Sequence, residues 1–170
     1  LQPLRHLAGL TRLDLAGCQL PALPACMSSL TQLADLDLAC NEFGPQEGAQ
    51  QVELQLPTLT ALTRLSLSEC LLDSLPPSIS ALASLQDLNL SGNSFAAAGP
   101  GCLHTLRQLT GITQLDLTNC HLTSWPESIA CLRQLKVSLG CTLYGLAICK
   151  CWQLDAVVAG LHVNRLFLKC

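Results

Sequence analysis

Leucines recur along this chain at fixed intervals, with polar residues between them. Leu10-x-x-Leu13-x-Leu15-x-x-Cys18-x-Leu20 sets the pattern. It returns as Leu33-x-x-Leu36-x-Leu38-x-x-Asn41-x-Phe43 and as Leu62-x-x-Leu65-x-Leu67-x-x-Cys70-x-Leu72. Two further copies are Leu85-x-x-Leu88-x-Leu90-x-x-Asn93-x-Phe95 and Ile112-x-x-Leu115-x-Leu117-x-x-Cys120-x-Leu122. The Leu-x-Leu step has period two, so both leucines face one side of a short strand, and that side is the interior. The following Asn or Cys sits where the chain leaves the strand. Buried amides need partners, so Asn41 and Asn93 are expected to bond the turn backbone. Cys18, Cys70 and Cys120 are expected to fill the same slot as small apolar residues with a weak donor. One copy cannot bury its own leucine face; stacked copies share one core.

Equivalent leucines are spaced alternately: 23 residues from Leu13 to Leu36, 29 to Leu65, 23 to Leu88 and 27 to Leu115. The first, third and fifth copies are followed by Leu23-Pro24, Leu75-Pro76 and Trp125-Pro126. Proline fixes φ and lacks an N–H, so these short coils are expected to close with turns or brief helices. The longer coils lack that signal. Gln46 to Leu59 and Gly101 to Leu109 read as helices, with Val52, Leu56, Leu59 and Leu103, Leu106, Leu109 near helical spacing. Pro57 would end the first of them early.

On these motifs the chain resembles the leucine-rich repeat family over residues 4 to about 135. The longer coils resemble the ribonuclease-inhibitor type and the shorter ones the Leu-Pro type. The resemblance implies an α/β fold: a curved, right-handed solenoid with parallel strands on the concave face and helices and turns on the convex face. Residues 1–135 then hold about five repeats. Residues 136–170 are read as divergent terminal repeats or a C-terminal cap. There Val137-x-Leu139 and Val163-x-x-Leu166-x-Leu168 are expected as sixth and seventh strands, with a helix from Trp152 to Leu161. Leu1, Leu4 and Leu7 begin in mid-pattern without a polar cap, so a fragment or processed chain that aggregates or frays at its first coil is expected.

Composition narrows the function. Of 170 residues, 49% are hydrophobic and 12% charged, which excludes a disordered chain. The longest apolar run, Cys141 to Cys149, falls short of the roughly 18 residues of a membrane span, so no membrane partner is expected. The net charge of -3 gives no basic footprint, so no nucleic-acid partner is expected either. Residues 1–130 carry four basic and eleven acidic residues, and residues 131–170 carry five basic and one acidic. The 11 cysteines are odd in number and scattered, which suits a reducing, cytoplasmic location. The sequon Asn89-Leu90-Ser91 points the other way but falls inside a strand.

The chemistry of catalysis is missing. No phosphate-binding loop, nucleophile elbow or zinc-protease motif occurs. His6, His104, His121 and His162 have no partner at an informative spacing. Cys141, Cys149, Cys151 and His162 match no zinc spacing. No cofactor and no metal site are expected. Function is instead expected on the outward strand positions, which stack into columns about 4.8 Å apart. The candidate protein-binding face comprises Arg12, Asp35, Arg64, Asp87 and Gln114 in one column and Asp14, Asp37, Ser66, Asn89 and Asp116 in the other. Arg12, Asp35, Arg64 and Asp87 alternate in sign as a self-neutralising ladder would. The expected function is non-catalytic recognition of a protein or peptide ligand, or scaffolding, through this face. The alternative is a regulatory segment of a larger receptor, ubiquitin-ligase adaptor or enzyme whose active domain lies elsewhere. The sequence leaves oligomeric state open.

Overall fold

A computed structural model of the chain describes residues 2–45, 54, 56, 58–95, 101–122 and 126–135. Five strands of three residues form one parallel sheet in chain order: β1 (Arg12–Asp14), β2 (Asp35–Asp37), β3 (Arg64–Ser66), β4 (Asp87–Asn89) and β5 (Gln114–Asp116). Leu13, Leu36, Leu65, Leu88 and Leu115 lie in register across all four junctions. The repeat arithmetic thus sets the pairing, although the intervening chain varies in length. Leucines from every coil share one dry core, and Leu36, Leu65, Leu88 and Leu115 are each at most 2% exposed. The fold is that of a leucine-rich repeat solenoid, as expected.

The described backs of the coils are 3-10 helices of five residues: Gln2–His6, Ala25–Ser29, Pro77–Ala81, His104–Gln108 and Glu127–Cys131. The buried residues of three of these helices and of the turns that follow them explain the choice. Met27, Leu30 and Leu33 recur every three residues, as do Ile79, Leu82 and Leu85, and as do Leu106, Leu109 and Ile112. Period three aligns side chains on a 3-10 helix, not on an α-helix. The helix expected at Gly101 to Leu109 is therefore present in this tighter form. Pro24, Pro76 and Pro126 stand just before the short-coil helices, in extended backbone. Their carbonyls accept from Met27, Ile79 and Ile129 at 2.9, 3.1 and 3.1 Å. Most of the helix expected at Gln46 to Leu59 lies outside the described residues, although Leu54, Leu56 and Leu59 are buried. The expected strands at 137–139 and 163–168, the Trp152 to Leu161 helix and all of segment 136–170 also lie outside them.

The turn slots divide the coils into two classes. In the asparagine class, Asn41 and Asn93 are 1% exposed and span two coils. Asn93 Nδ2 donates to Leu67 and Leu90 carbonyls at 2.8 and 2.7 Å, and Oδ1 accepts from the Cys70 and Leu72 N–H at 3.1 and 3.0 Å. Asn41 likewise donates to Leu15 and Leu38 and accepts from Leu20. In the cysteine class the slot side chain only donates: Cys70 Sγ to Leu38 and Cys120 Sγ to Leu90, both carbonyls of the preceding coil, at 3.1 and 3.2 Å. Backbone conformation follows the classes. The residue before the slot is left-handed in all five coils: Gly17, Cys40, Glu69, Gly92 and Asn119. The residue after it is left-handed only in the cysteine class, at Gln19, Leu71 and His121, with φ between 52° and 59°. One glycine is required by close approach: a Cβ on Gly44 would sit 2.1 Å from the Leu71 carbonyl oxygen.

Cys18 departs from expectation. It belongs to the cysteine class by sequence but is exposed, and its thiol reaches only its own coil, at the Ala16 carbonyl 3.7 Å away. Cys70 and Cys120 are buried because a coil precedes each of them, whereas β1 is the sheet edge.

Candidate functional site

The strand register carries the outward side chains into two rows. Arg12, Asp35, Arg64, Asp87 and Gln114 are successive partners, as are Asp14, Asp37, Ser66, Asn89 and Asp116. All ten are half-buried or exposed. The sheet therefore brings every expected position of the face together on one surface. Five of the ten are aspartates and two are arginines, so the surface is acidic.

The first row is not the evenly alternating ladder its signs suggest. Both guanidiniums converge on one oxygen: Arg12 Nε lies 2.9 Å from Asp35 Oδ2, and an Arg64 terminal nitrogen lies 3.0 Å from the same atom. Arg64 Nε adds a bond to that oxygen at 3.1 Å. No ion pair reaches Asp87 among the described residues. Partial burial pushes the Asp87 carboxyl above its ordinary range; Arg64 pulls it back, while Asp35 and Asp116 push it further up. The two arginines are well exposed, so each bond to Asp35 is worth about 0–1 kcal/mol. The row holds a neutralised end around Asp35 and an uncompensated negative end around Asp87 and Asp116.

The second row has a structural duty that sequence reasoning missed. Asp14, Asp37 and Asp116 each accept, through Oδ1, from the backbone N–H two residues on, at 2.9, 2.9 and 2.8 Å. Asn89 does the same for Ser91 at 3.0 Å. These are Asx turns, in which a short carbonyl-bearing side chain closes the exit from the strand. The signal was available: the residue between the two strand leucines is Asp or Asn in four of five copies. Ser66 replaces it in the third and shares a hydroxyl contact with Ser68.

Thiol chemistry is disfavoured at Cys40, Cys70 and Cys102. Burial pushes the Cys70 thiol up to about 11, and burial also raises Cys102. Cys40 is raised by desolvation and by the nearby Glu69 carboxylate. Nucleophilic cysteines need the opposite shift. Cys26 and Cys131 are half-buried on the coil backs and Cys102 is buried there. Among the described residues no cluster of three or more metal-ligating side chains occurs, and no helix is long and apolar enough to cross a membrane. The segment holding Cys141, Cys149, Cys151 and His162 lies outside the described residues.

Known proteins agree with this architecture. Residues 60–122 match the family model described as leucine rich repeat. No curated protein matches the chain. Among solved structures, an internalin from Listeria monocytogenes superposes with a TM-score of 0.53 at 21% sequence identity. The match covers 94% of this chain and 48% of that one, so the chain spans about half the length of the internalin. At this identity the likeness is one of fold.

Proposed function

We propose that this leucine-rich repeat solenoid is a non-catalytic interaction module that holds a protein or peptide ligand on its sheet face. What carries the reading is the pair of side-chain rows, held in register by five strands and acidic over most of their length. Side chains fixed on a sheet lose little entropy when a ligand binds them. The carboxylates at Asp87 and Asp116, beyond the Arg64–Asp35 pair, favour a ligand with a basic segment, and they disfavour nucleic acid. Long-range attraction would speed the encounter more than it would tighten the complex. A reducing intracellular compartment fits the slot thiols, because Cys70 and Cys120 serve as hydrogen-bond donors only in the reduced state.

The test follows from the Asx turns. Charge reversal in the second row would break turns as well as remove charge. Asparagine removes the charge and keeps the turn, as Asn89 already does in the fourth coil. The triple variant Asp14→Asn, Asp37→Asn, Asp116→Asn should fold normally and lose affinity for ligands captured by the wild type. Recovery of every ligand at wild-type levels would refute the sheet-face reading.

A further inference from the structure

Arg64 stands between two carboxylates and uses only one of them. The register pairs it with Asp35 on β2 and with Asp87 on β4. Neighbouring strands of a sheet lie about 4.8 Å apart, so the two aspartates flank Arg64 at matching distances. Yet both bonds of the guanidinium go to one side: Nε and a terminal nitrogen lie 3.1 and 3.0 Å from Asp35 Oδ2. That oxygen also receives Arg12 Nε at 2.9 Å. Asp35 thus carries two cations, and Asp87 carries none among the described residues. On its other flank Asp87 meets neutral Gln114, with Asp116 further along the same strand. Partial burial holds the Asp87 carboxyl above its ordinary range; Arg64 acts against that, and Asp35 and Asp116 add to it. Arg64 therefore acts on Asp87 without being bonded to it. Its side chain is 54% exposed, so little packing ties it to Asp35. Exposed ion pairs are individually weak, which leaves the two placements of the guanidinium close in free energy.

We propose that Arg64 is a two-position side chain, and that Asp35 is the positioning residue that keeps it off Asp87. With Arg64 on Asp35, the Asp87 carboxylate is open to a lysine or arginine side chain of the ligand. With Arg64 on Asp87, the protein's own cation closes the same carboxylate. The inference rests on the sheet-face reading and deepens it: the ligand cation is assigned to the β4–β5 end of the face, and a residue two strands away on β2 sets its affinity. A ligand shifts such a balance only through its different affinity for the two placements. A cation seated at Asp87 excludes the guanidinium from that carboxylate, so binding itself favours the open placement. The pattern of charges along the row then has a use. Asp35 contributes to recognition without touching the ligand cation, by occupying the arginine that would compete with it.

Carboxyl titrations followed by carbon-detected NMR test the placement of Arg64 without any ligand. Asp87 is followed in the full chain and in Asp35→Asn, Arg64→Gln and the double variant. Losing the Asp35 charge lowers the Asp87 midpoint by itself, and the step from Arg64→Gln to the double variant measures that part. With Arg64 present and released, the fall should be about twice as large or more, because the guanidinium moves onto Asp87. Equal falls in the two backgrounds mean that Arg64 does not move, and they overturn the proposal. Binding is read with a hexalysine peptide by titration calorimetry at low salt. Asp37→Asn is the control: it removes one negative charge from the same strand, keeps its Asx turn and leaves Arg64 paired. Asp35→Asn should weaken hexalysine about fivefold, the upper range for an exposed ion pair, and Asp37→Asn about twofold at most. Equal losses overturn the control of Asp87 by Arg64. If the wild type does not bind hexalysine at all, the assignment of a ligand cation to Asp87 falls together with the basic-ligand reading, whatever the titration gives.

Discussion

Replacing Asn93 by Cys tests the central claim about the turn slots. Sequence alone treats the two residues as interchangeable there, because the copies use both. The geometry says otherwise. Asn93 Oδ1 is the acceptor for the N–H groups of Cys70 and Leu72, both of which are buried. A thiol at position 93 leaves them without an acceptor. Each buried, unmatched donor costs about 1–3 kcal/mol. The Leu67 and Leu90 carbonyls also lose their amide donor, but Leu90 keeps the Cys120 thiol, and carbonyls tolerate under-satisfaction better than N–H groups do. The expected loss for Asn93→Cys is about 3–5 kcal/mol, using the two N–H groups as the dominant part. Cys70→Ala removes a small apolar group and one weak donor, and should cost about 1–2 kcal/mol. Urea unfolding followed by circular dichroism measures both. Because coils couple mainly to their neighbours, amide exchange at Cys70 and Leu72 locates the damage. If Asn93→Cys stayed within about 1 kcal/mol of wild type, or fell below Cys70→Ala, the two-class account would be wrong.

Three further outcomes are expected. Gly44→Ala drives a Cβ to 2.1 Å from the Leu71 carbonyl, so the backbone must move; a loss of about 1–3 kcal/mol or more is expected in thermal melts. Asp35→Ala removes both guanidinium contacts yet should cost only about 0–1 kcal/mol, and raising salt should shrink the difference in urea midpoint between it and the wild type. The Cys70 thiol, pushed up to about 11 from its ordinary 9.0, keeps its proton in the fold after the unfolded chain has lost it. The Cys70 contribution to stability should therefore be constant below about pH 9 and fall as pH rises from 9 towards 11, and Cys70→Ala should reduce that slope in urea midpoints taken across the window.

The strand positions were legible because every described coil carries two leucines at period two, packed against a neighbour with the same spacing. The Leu-Pro signals marked the starts of the short 3-10 helices for a local reason, the fixed φ of proline. The helix type was misjudged at Leu103, Leu106 and Leu109, where spacing of three was available and points to 3-10 geometry. The division between Asn and Cys slots was visible as an alternation but not as an asymmetry. It emerges only when the N–H groups of Cys70 and Leu72 are seen to lie beside Asn93. The ten outward positions share one surface, as their spacing required, yet their charge pattern differs from the alternating ladder read from the sequence. Side-chain reach, not sign order, sends both Arg12 and Arg64 to Asp35 and leaves Asp87 among carboxylates. Cys18 was misread because burial of a slot depends on the coil before it, and that dependence is not local.

The register of the sheet is indifferent to how much chain separates its strands. Steps of 23, 29 and 27 residues all deliver the next leucine to the same partner. In the sequence the extra residues of the longer steps fall between Phe43 and Leu54 and between Phe95 and Gly101. The length of a step and the register of the strands are thus independent: the chain between two strands can differ by six residues while the side-chain rows keep the same partners.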